Sequence, residues 1–511
     1  MTRVAIVAPA PGAPAPDNGR GGLDVAALLD TLDALIADVR RDGAARVKAG
    51  GSGARRSGFA DSALNLAHYL ALRRQDLRPL QRDLAALGLS SLGRLEGRVM
   101  PTLVAVRTAL AALLGRPPAA APSQDAFFAG EKRLTAHAHE LLGTTAASPP
   151  VALLVTCPTE SADDPAFMLA LATRKVEAVR INCAHDDADH WARMIGHMRA
   201  AEAASGRKMK IFMDLAGPKI RTGEVRPPKH AKRIFNGDLL AIARPGALHA
   251  VRGADRHTAV ECTLPEALDA TGVGDRVFVD DGKLAGEVES VETWGVRVRV
   301  TAVAQGGLRL KPEKGLNFPD ADLAIDALTA KDRIDLAFIA AHADGVEFSF
   351  VQSAADVVML QDALAHHRPD DWRRLSLILK IETARAVANL PDIILQAAAH
   401  QPTAIMIARG DLAVEIGFAR TAEMQEELLW LGEAADVPVI WATQVLEHLV
   451  AKGAASRGEM TDAAMSARAE CVMLNKGPYL FEAIDQIQAL LLRMQANQHK
   501  KTPQLRRLRS W

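Results

Sequence analysis

The chain has 511 residues, nearly half of them apolar, enough to bury more than one core. Its 61 basic and 61 acidic residues cancel, so no global field draws it to nucleic acid or an anionic membrane. No apolar stretch is long enough to span a bilayer, and neither nucleic-acid nor membrane partners are expected.

The start, MTRVAIVAPAPGAPAP, breaks into prolines before a signal-peptide core could form. Residues 1–20 are expected to be a disordered tail. Residues 21–145 are expected to form an all-helical domain. LDVAALLDTLDALIADVR repeats apolar residues at helical spacing, with Asp24 available as a cap. ALNLAHYLALRRQDLRPLQRDLAALG behaves likewise, and LVAVRTALAALLG follows. GGSGARRSG reads as a loop; a Pro/Ala stretch at 117–123 and TTAASPP at 144–150 read as linkers. His68 and Tyr69 suit packing or the surface better than ligation.

From residue 151 the rhythm changes. Eight short apolar runs alternate with helical segments: VALLVTC, VEAVRIN, KIFMDL, GVEFSF, LSLILKIE, AIMIAR, VPVIWAT and CVMLN. Such runs suit strands buried on both faces, as in parallel sheets. Eight units predict an α/β fold, a (β/α)8 TIM barrel over 150–223 and 311–495. A doubly wound open sheet fits less well, because no Gly-x-Gly-x-x-Gly turn follows the first strand. About 130 residues separate the third and fourth runs, and many alternate like strands (DRVFVDDGKL, GEVESVETW, GVRVRVTAV). A small inserted all-β domain, a β-barrel lid over 224–310, is expected there, since a structureless loop of that size is improbable. A basic tail, 496–511, closes the chain and is expected to be a solvated terminus. The cysteines (Cys157, Cys183, Cys262, Cys471) lack metal-ligand spacing and read as free thiols in a reducing cytoplasm.

In barrels of this class the strand ends and the loops after them form the active site. Five such ends are polar: Arg180 and Asn182 on the second strand, Asp214 on the third, Lys380 and Glu382 on the fifth, Arg409 to Asp411 after the sixth, and Thr443 and Gln444 after the seventh. Strand alternation puts Lys380 with Glu382, and Arg180 with Asn182, on one face. Charges on otherwise apolar strands are costly without partners, so one such pair could be a structural ion pair. Five together point to function. Glu382 and Asp411 are hard oxygen ligands that suit Mg²⁺. Lys380 and Arg180 add positive charge for a phosphate or carboxylate ligand, and Thr443 offers a hydroxyl to relay a proton. That chemistry is phosphoryl transfer or enolate formation.

MDLAGPKIRTG, VDDGKL, KGLNFP, LKIE, IARGDLAVEI and WATQVLEHLV resemble, in order and spacing, the signatures of the pyruvate kinase family over about 150–490. The resemblance implies a glycolytic kinase, a transferase that moves the phosphoryl group of phosphoenolpyruvate to ADP, giving pyruvate and ATP. By motif, Glu382 and Asp411 bind Mg²⁺ or Mn²⁺, and Lys380, Thr443 and Arg180 are catalytic. Substrate and nucleotide contacts carry over to Arg180, Asn182, His185, Arg221, Lys314, Gly410, Asp411 and Thr443. The β-domain is expected to close over the nucleotide.

Departures carry information. Where potassium-dependent members of the family have oxygen ligands this chain has Ala184 and Leu215, and Lys219 replaces a glutamate. Lys219, near Asp214, is expected to supply the charge of the monovalent ion, so K⁺ is not expected to be required. The loop after the eighth strand reads Asn475-Lys476-Gly477-Pro478, and the first strand leads into TCPTES, both unlike the family. The family's C-terminal domain is expected to be absent, and fructose bisphosphate activation with it. Oligomerisation is then expected through the barrel, as a homodimer or higher homo-oligomer. Two rival readings remain: a metal-dependent pyruvate or phosphoenolpyruvate lyase, disfavoured by the insertion, and a non-catalytic metabolite sensor, disfavoured by the retained Lys380, Glu382, Asp411 and Thr443.

Overall fold

A computed structural model describes residues 23–49, 56–117, 120–228, 232–253, 256–323 and 325–504. The expected N-terminal tail, most of the Gly/Ser-rich loop and the last residues of the basic tail lie outside the described residues.

The eight apolar runs become eight parallel strands: Ala152–Thr156, Ala178–Asn182, Lys210–Asp214, Gly345–Phe348, Ser376–Ile381, Thr403–Ala408, Val439–Ala442 and Cys471–Leu474. They close into a barrel in chain order, the first pairing with the eighth. The open-sheet alternative is thereby excluded. Leu154, Phe212, Ile378, Met406, Ile440 and Met473 fill the interior, as the inward layers of a barrel must. Helices begin promptly after strands because the sequence supplies caps. Thr383, next to Glu382, accepts from the backbone N–H of Ala386 at 3.1 Å and starts the helix Ala384–Ala398.

Among the described residues, six α-helices precede the barrel: α1 Val25–Ala49, α2 Phe59–Leu72, α3 Arg78–Ala86, α4 Val99–Leu113, α5 Gln124–Phe127 and α6 Ala129–Leu142. Asp24 caps α1, accepting from Ala26 and Ala27 at 3.0 Å. His68 and Tyr69 are both buried. The unit packs on the base of the barrel, the end opposite the C-terminal strand ends. Leu141 and Leu142 of α6 join the interior cluster and plug that end. The Asn65 side chain donates to the carbonyls of Glu96 and Ala434 and accepts from the Val99 N–H, tying α2 to the barrel helix Phe418–Ala434.

The insertion is a seven-stranded sheet whose two end strands meet through the antiparallel bridge Arg221–Gly315. It runs from the strand Thr222–Arg226 to Leu316–Asn317, wider than 224–310, because both connecting segments enter the sheet as its end strands and bond to each other there. Its own core, Val277, Val279, Leu284, Val288, Val296 and Val298 among others, is separate from the barrel's.

The expectation of a solvated basic terminus fails for its described part. After the last barrel helix, Gln498–His499 and Thr502–Pro503 pair as a short hairpin. Lys500 and Lys501 turn inward onto Glu470 and Glu96. Glu470 and Glu96 are buried carboxylates, and pairing with these lysines holds the segment down.

Candidate active site

Parallel register aligns the charged strand ends. Asp214 stands beside Asn182 on one side and Glu347 on the other. Above them opens a cavity of about 450 Å³ at the C-terminal ends of the strands, within the range of small-molecule sites. Arg180, Asn182, His185, Asp214, Lys219, Arg221, Lys380, Glu382, Asp411 and Thr443 all line it. Lys314 and Gly410 do not. Lys314 is held beside the sheet's end strand by backbone bonds to Thr222, with its ammonium 3.2 Å from Asp280. Gly410 lies one step behind the wall, its N–H donating to Thr443 Oγ1 at 2.8 Å.

Asp214 is the hub. It accepts from the Arg180 guanidinium, from Ser349 Oγ at 3.0 Å and from Lys380 Nζ at 3.2 Å. Its burial would raise the carboxyl, but Lys380 and Arg180 outweigh that and hold it below its ordinary value. Burial likewise opposes charge on Lys380, and Asp214 and Glu382 reverse it, lifting the ammonium above its usual range. Lys380 therefore keeps its proton and stands as a fixed cation, 3.1 Å from Glu382 and 2.8 Å from Ser349 Oγ.

Glu382 is fixed by the backbone N–H of Phe350 at 2.7 Å. Burial pushes its carboxyl up, Lys380 pulls it down, and Asp411 pushes it up again. Two neighbouring carboxylates, with Asp411 opposing the charge on Glu382, suit a divalent cation shared between them. Hard oxygen donors of this number fit Mg²⁺ or Mn²⁺, with substrate and water oxygens completing the shell.

Lys219 reaches this pair rather than Asp214. Its ammonium bonds Asp411 at 2.8 Å, while Asp214 is occupied by Arg180 and Lys380. Lys219 and Asp214 line the same cavity, but the ion pair of Lys219 is with a carboxylate 192 residues away in sequence.

Thr443 sits in the left-handed region at φ 59°, and Gln444 and Leu446 follow at 54° and 49°. Such strain in non-glycine residues persists only where surroundings enforce it. Arg409 is the enforcer: it donates to the carbonyls of Ala442 and Thr443, pairs with Asp462 and lies over Trp441. His185 has its proton affinity lowered by burial and by Lys476. Arg221 donates to the Glu313 carbonyl at 3.2 Å, and Asn182 accepts from the Ala184 N–H at 3.0 Å.

Sequence reasoning missed the fourth strand end, Glu347 and Ser349, and also Thr156 on the first. GVEFSF alternates polar and apolar at the same offset as LILKIE, which was the signal available. Asn475 and Lys476, in the loop that departs from the family, also line the cavity.

The family model described as "Pyruvate kinase, barrel domain" matches residues 152–484. A pyruvate kinase of Geobacillus stearothermophilus is 32% identical over 341 residues, which cover 65% of this chain and 55% of that protein. Pyruvate kinases of Mycobacterium tuberculosis strain H37Rv and Mycobacterium intracellulare are each 31% identical, over 68% and 66% of this chain and 70% and 68% of theirs. The chain thus spans little more than half of the first of these relatives and about two thirds of the others. The barrel, the insertion after its third strand and the charged cavity at its strand ends agree with that match: the chain belongs to the pyruvate kinase family.

Proposed function

We propose that the chain is a phosphotransferase that moves the phosphoryl group of phosphoenolpyruvate to ADP, giving pyruvate and ATP. The observation that carries this reading is the convergence of Arg180, Lys380, Glu382, Asp411 and Thr443 on one cavity. Glu382 and Asp411 would hold Mg²⁺ or Mn²⁺, which when bound neutralises charge on the substrate's oxygens. Arg180 and Lys380 grip the phosphoryl group, and Lys380 stabilises it in flight, where charge gathers on its equatorial oxygens. Thr443, held by its strained turn, passes a proton toward the enolate left behind. The Gly410 N–H, at the start of the helix Arg409–Ile416, orients the Thr443 hydroxyl through the 2.8 Å contact. The inserted sheet closes over the nucleotide and excludes water. In that closed state Lys314 leaves Asp280 for the nucleotide phosphates.

The enzyme works without K⁺ in this reading. Ala184 and Leu215 offer no side-chain oxygen, and Lys219 brings a fixed charge to the same cavity. No described helix is long and apolar enough to cross a membrane, and the reading places the enzyme in the cytoplasm, assembling through its barrel.

A coupled assay with phosphoenolpyruvate, ADP and Mg²⁺ tests the reading. Lys380→Met is expected to lose about a hundred- to a thousandfold in kcat, the scale of one lost charge-stabilising group. Equal inertness of wild type and variant would sink it in favour of a sensor. The same assay checks the monovalent ion: replacing a bulky organic cation by K⁺ is expected to leave the rate unchanged, and a severalfold rise would contradict the role of Lys219.

A further inference from the structure

The fourth barrel strand carries a carboxylate that the reaction above does not use. Glu347 points into the barrel, fully buried, in register with Asp214 on the third strand and Ile378 on the fifth. It does not line the cavity. Its Oε2 accepts from Arg180 Nε at 3.1 Å. The same N–H is shared with Asp214 Oδ2 at 3.1 Å, Nη2 donates to Asp214 as well, and Nη1 donates to Thr156 Oγ1 at 3.1 Å. A guanidinium has five N–H bonds. Three are taken by the barrel, and one on each Nη is left for a ligand in the cavity that Arg180 lines. Two N–H groups from one rigid plane grip an oxyanion at two points.

Keeping Glu347 here is costly. Its Oε1 is buried without a hydrogen-bond partner. The inward face around it is otherwise apolar at Leu154, Phe212, Ile378 and Met406. Burial, with Asp214 alongside, pushes its carboxyl up to about 7. A leucine would pack at lower cost. Among the described residues, the one hydrogen bond the Glu347 carboxylate makes is to Arg180, so the directional gain that offsets this cost passes through that contact, with the Lys380 charge adding to it.

We propose that Glu347 is a positioning residue for phosphoryl transfer: with Asp214 it forms a two-carboxylate socket that fixes the plane of the Arg180 guanidinium against the phosphoryl group. This rests on reading the cavity as a phosphoenolpyruvate site.

The test combines steady-state kinetics with equilibrium binding of phosphoenolpyruvate in the presence of Mg²⁺, on Glu347→Leu, Glu347→Gln and Glu347→Asp, each alone and with Arg180→Lys. Glu347→Leu is expected to weaken phosphoenolpyruvate binding about tenfold, with a comparable loss in kcat, as a misaligned clamp does. The KM for ADP stays within about twofold, because the socket touches only the Arg180 side of the site. Glu347→Gln, which keeps an acceptor for the Nε–H, recovers most of the loss. With lysine at position 180 the change at 347 has no further effect, since the coupling passes through the guanidinium. Glu347→Asp keeps the charge but shortens the reach, and carries the same expectation severalfold should the leucine variant not fold. Folded variants that bind phosphoenolpyruvate like wild type, or losses unchanged by Arg180→Lys, would overturn the proposal. Wild type that binds phosphoenolpyruvate without turnover removes the activity reading and leaves the binding arm intact; wild type that does neither removes both.

Discussion

The barrel has charged clusters at both ends, and they are built in opposite ways. At the mouth, Asp214, Glu382 and Asp411 meet Arg180, Lys380 and Lys219, and every one of these side chains also faces an open cavity. At the base, Glu96, Glu433, Glu470 and Asp436 meet Lys500, Lys501 and Arg133, which come from the hairpin and the helical unit. There the pairing joins parts of the chain to one another: Arg133 and Ser62 both bond Asp436 Oδ2, at 2.6 and 2.7 Å. Charge at a strand end and charge at a strand start look alike in a list of residues. Glu433, Glu470 and Lys500 border a cavity of about 340 Å³ at the base as well. What separates the two ends is what the ion pairs join: at the base the hairpin, the helical unit and the barrel to one another, at the mouth one barrel strand end or its following loop to another.

Substitutions at the two ends should therefore fail differently. Lys380→Met, at the mouth, is expected to remove activity by the two to three orders of magnitude given above. Arg133→Met, at the base, is expected to leave the KM for phosphoenolpyruvate within about twofold and to lower unfolding free energy by about 2–3 kcal/mol. The cause is Asp436, fully buried, with Oδ1 already unpartnered and only Ser62 left to its other oxygen. Denaturant melts with parallel kinetics check the contrast. Loss of turnover in Arg133→Met at full stability would mean that the two ends are coupled rather than separate.

The mouth was legible in the sequence because each functional side chain interrupts an apolar run. Lys380 and Glu382 stand out in LSLILKIE, and Arg180 and Asn182 in VEAVRIN. Glu347 interrupts GVEFSF no less, yet its meaning depends on Arg180 and Asp214, which only barrel closure brings alongside. The base was not legible. Lys500 and Lys501 belong to a basic stretch whose composition suggests a solvated end, and Lys501 meets Glu96 across 405 residues. Nor does composition show that α6 ends in two leucines that plug a barrel, since they continue the helix's own apolar stripe. Local pattern finds elements and strand ends; it cannot find a partner that arrives from the other terminus.

The smallest effect would sharpen the comparison most, because it tests the balance at the base. Three carboxylates, Glu96, Glu433 and Glu470, share two lysines there, and Lys501 and Lys500 bond the first and the last. Glu433 is the one short of a cation. Burial, with Glu96 and Glu470 adding to it against Lys500 and Lys501, pushes its carboxyl up from 4.5 to about 7. A raised carboxyl binds its proton more tightly in the folded state than in the unfolded one. Its contribution to stability is complete below about pH 4.5 and is lost as pH rises through about 7. Glu433→Gln keeps the shape and removes the titration. At pH 5 the variant should match wild type, and at pH 8 it should exceed it by roughly 1–3 kcal/mol. Melting temperatures of both proteins from pH 5 to pH 8 measure this, and curves that run parallel would show that Lys500 and Lys501 already satisfy all three acids.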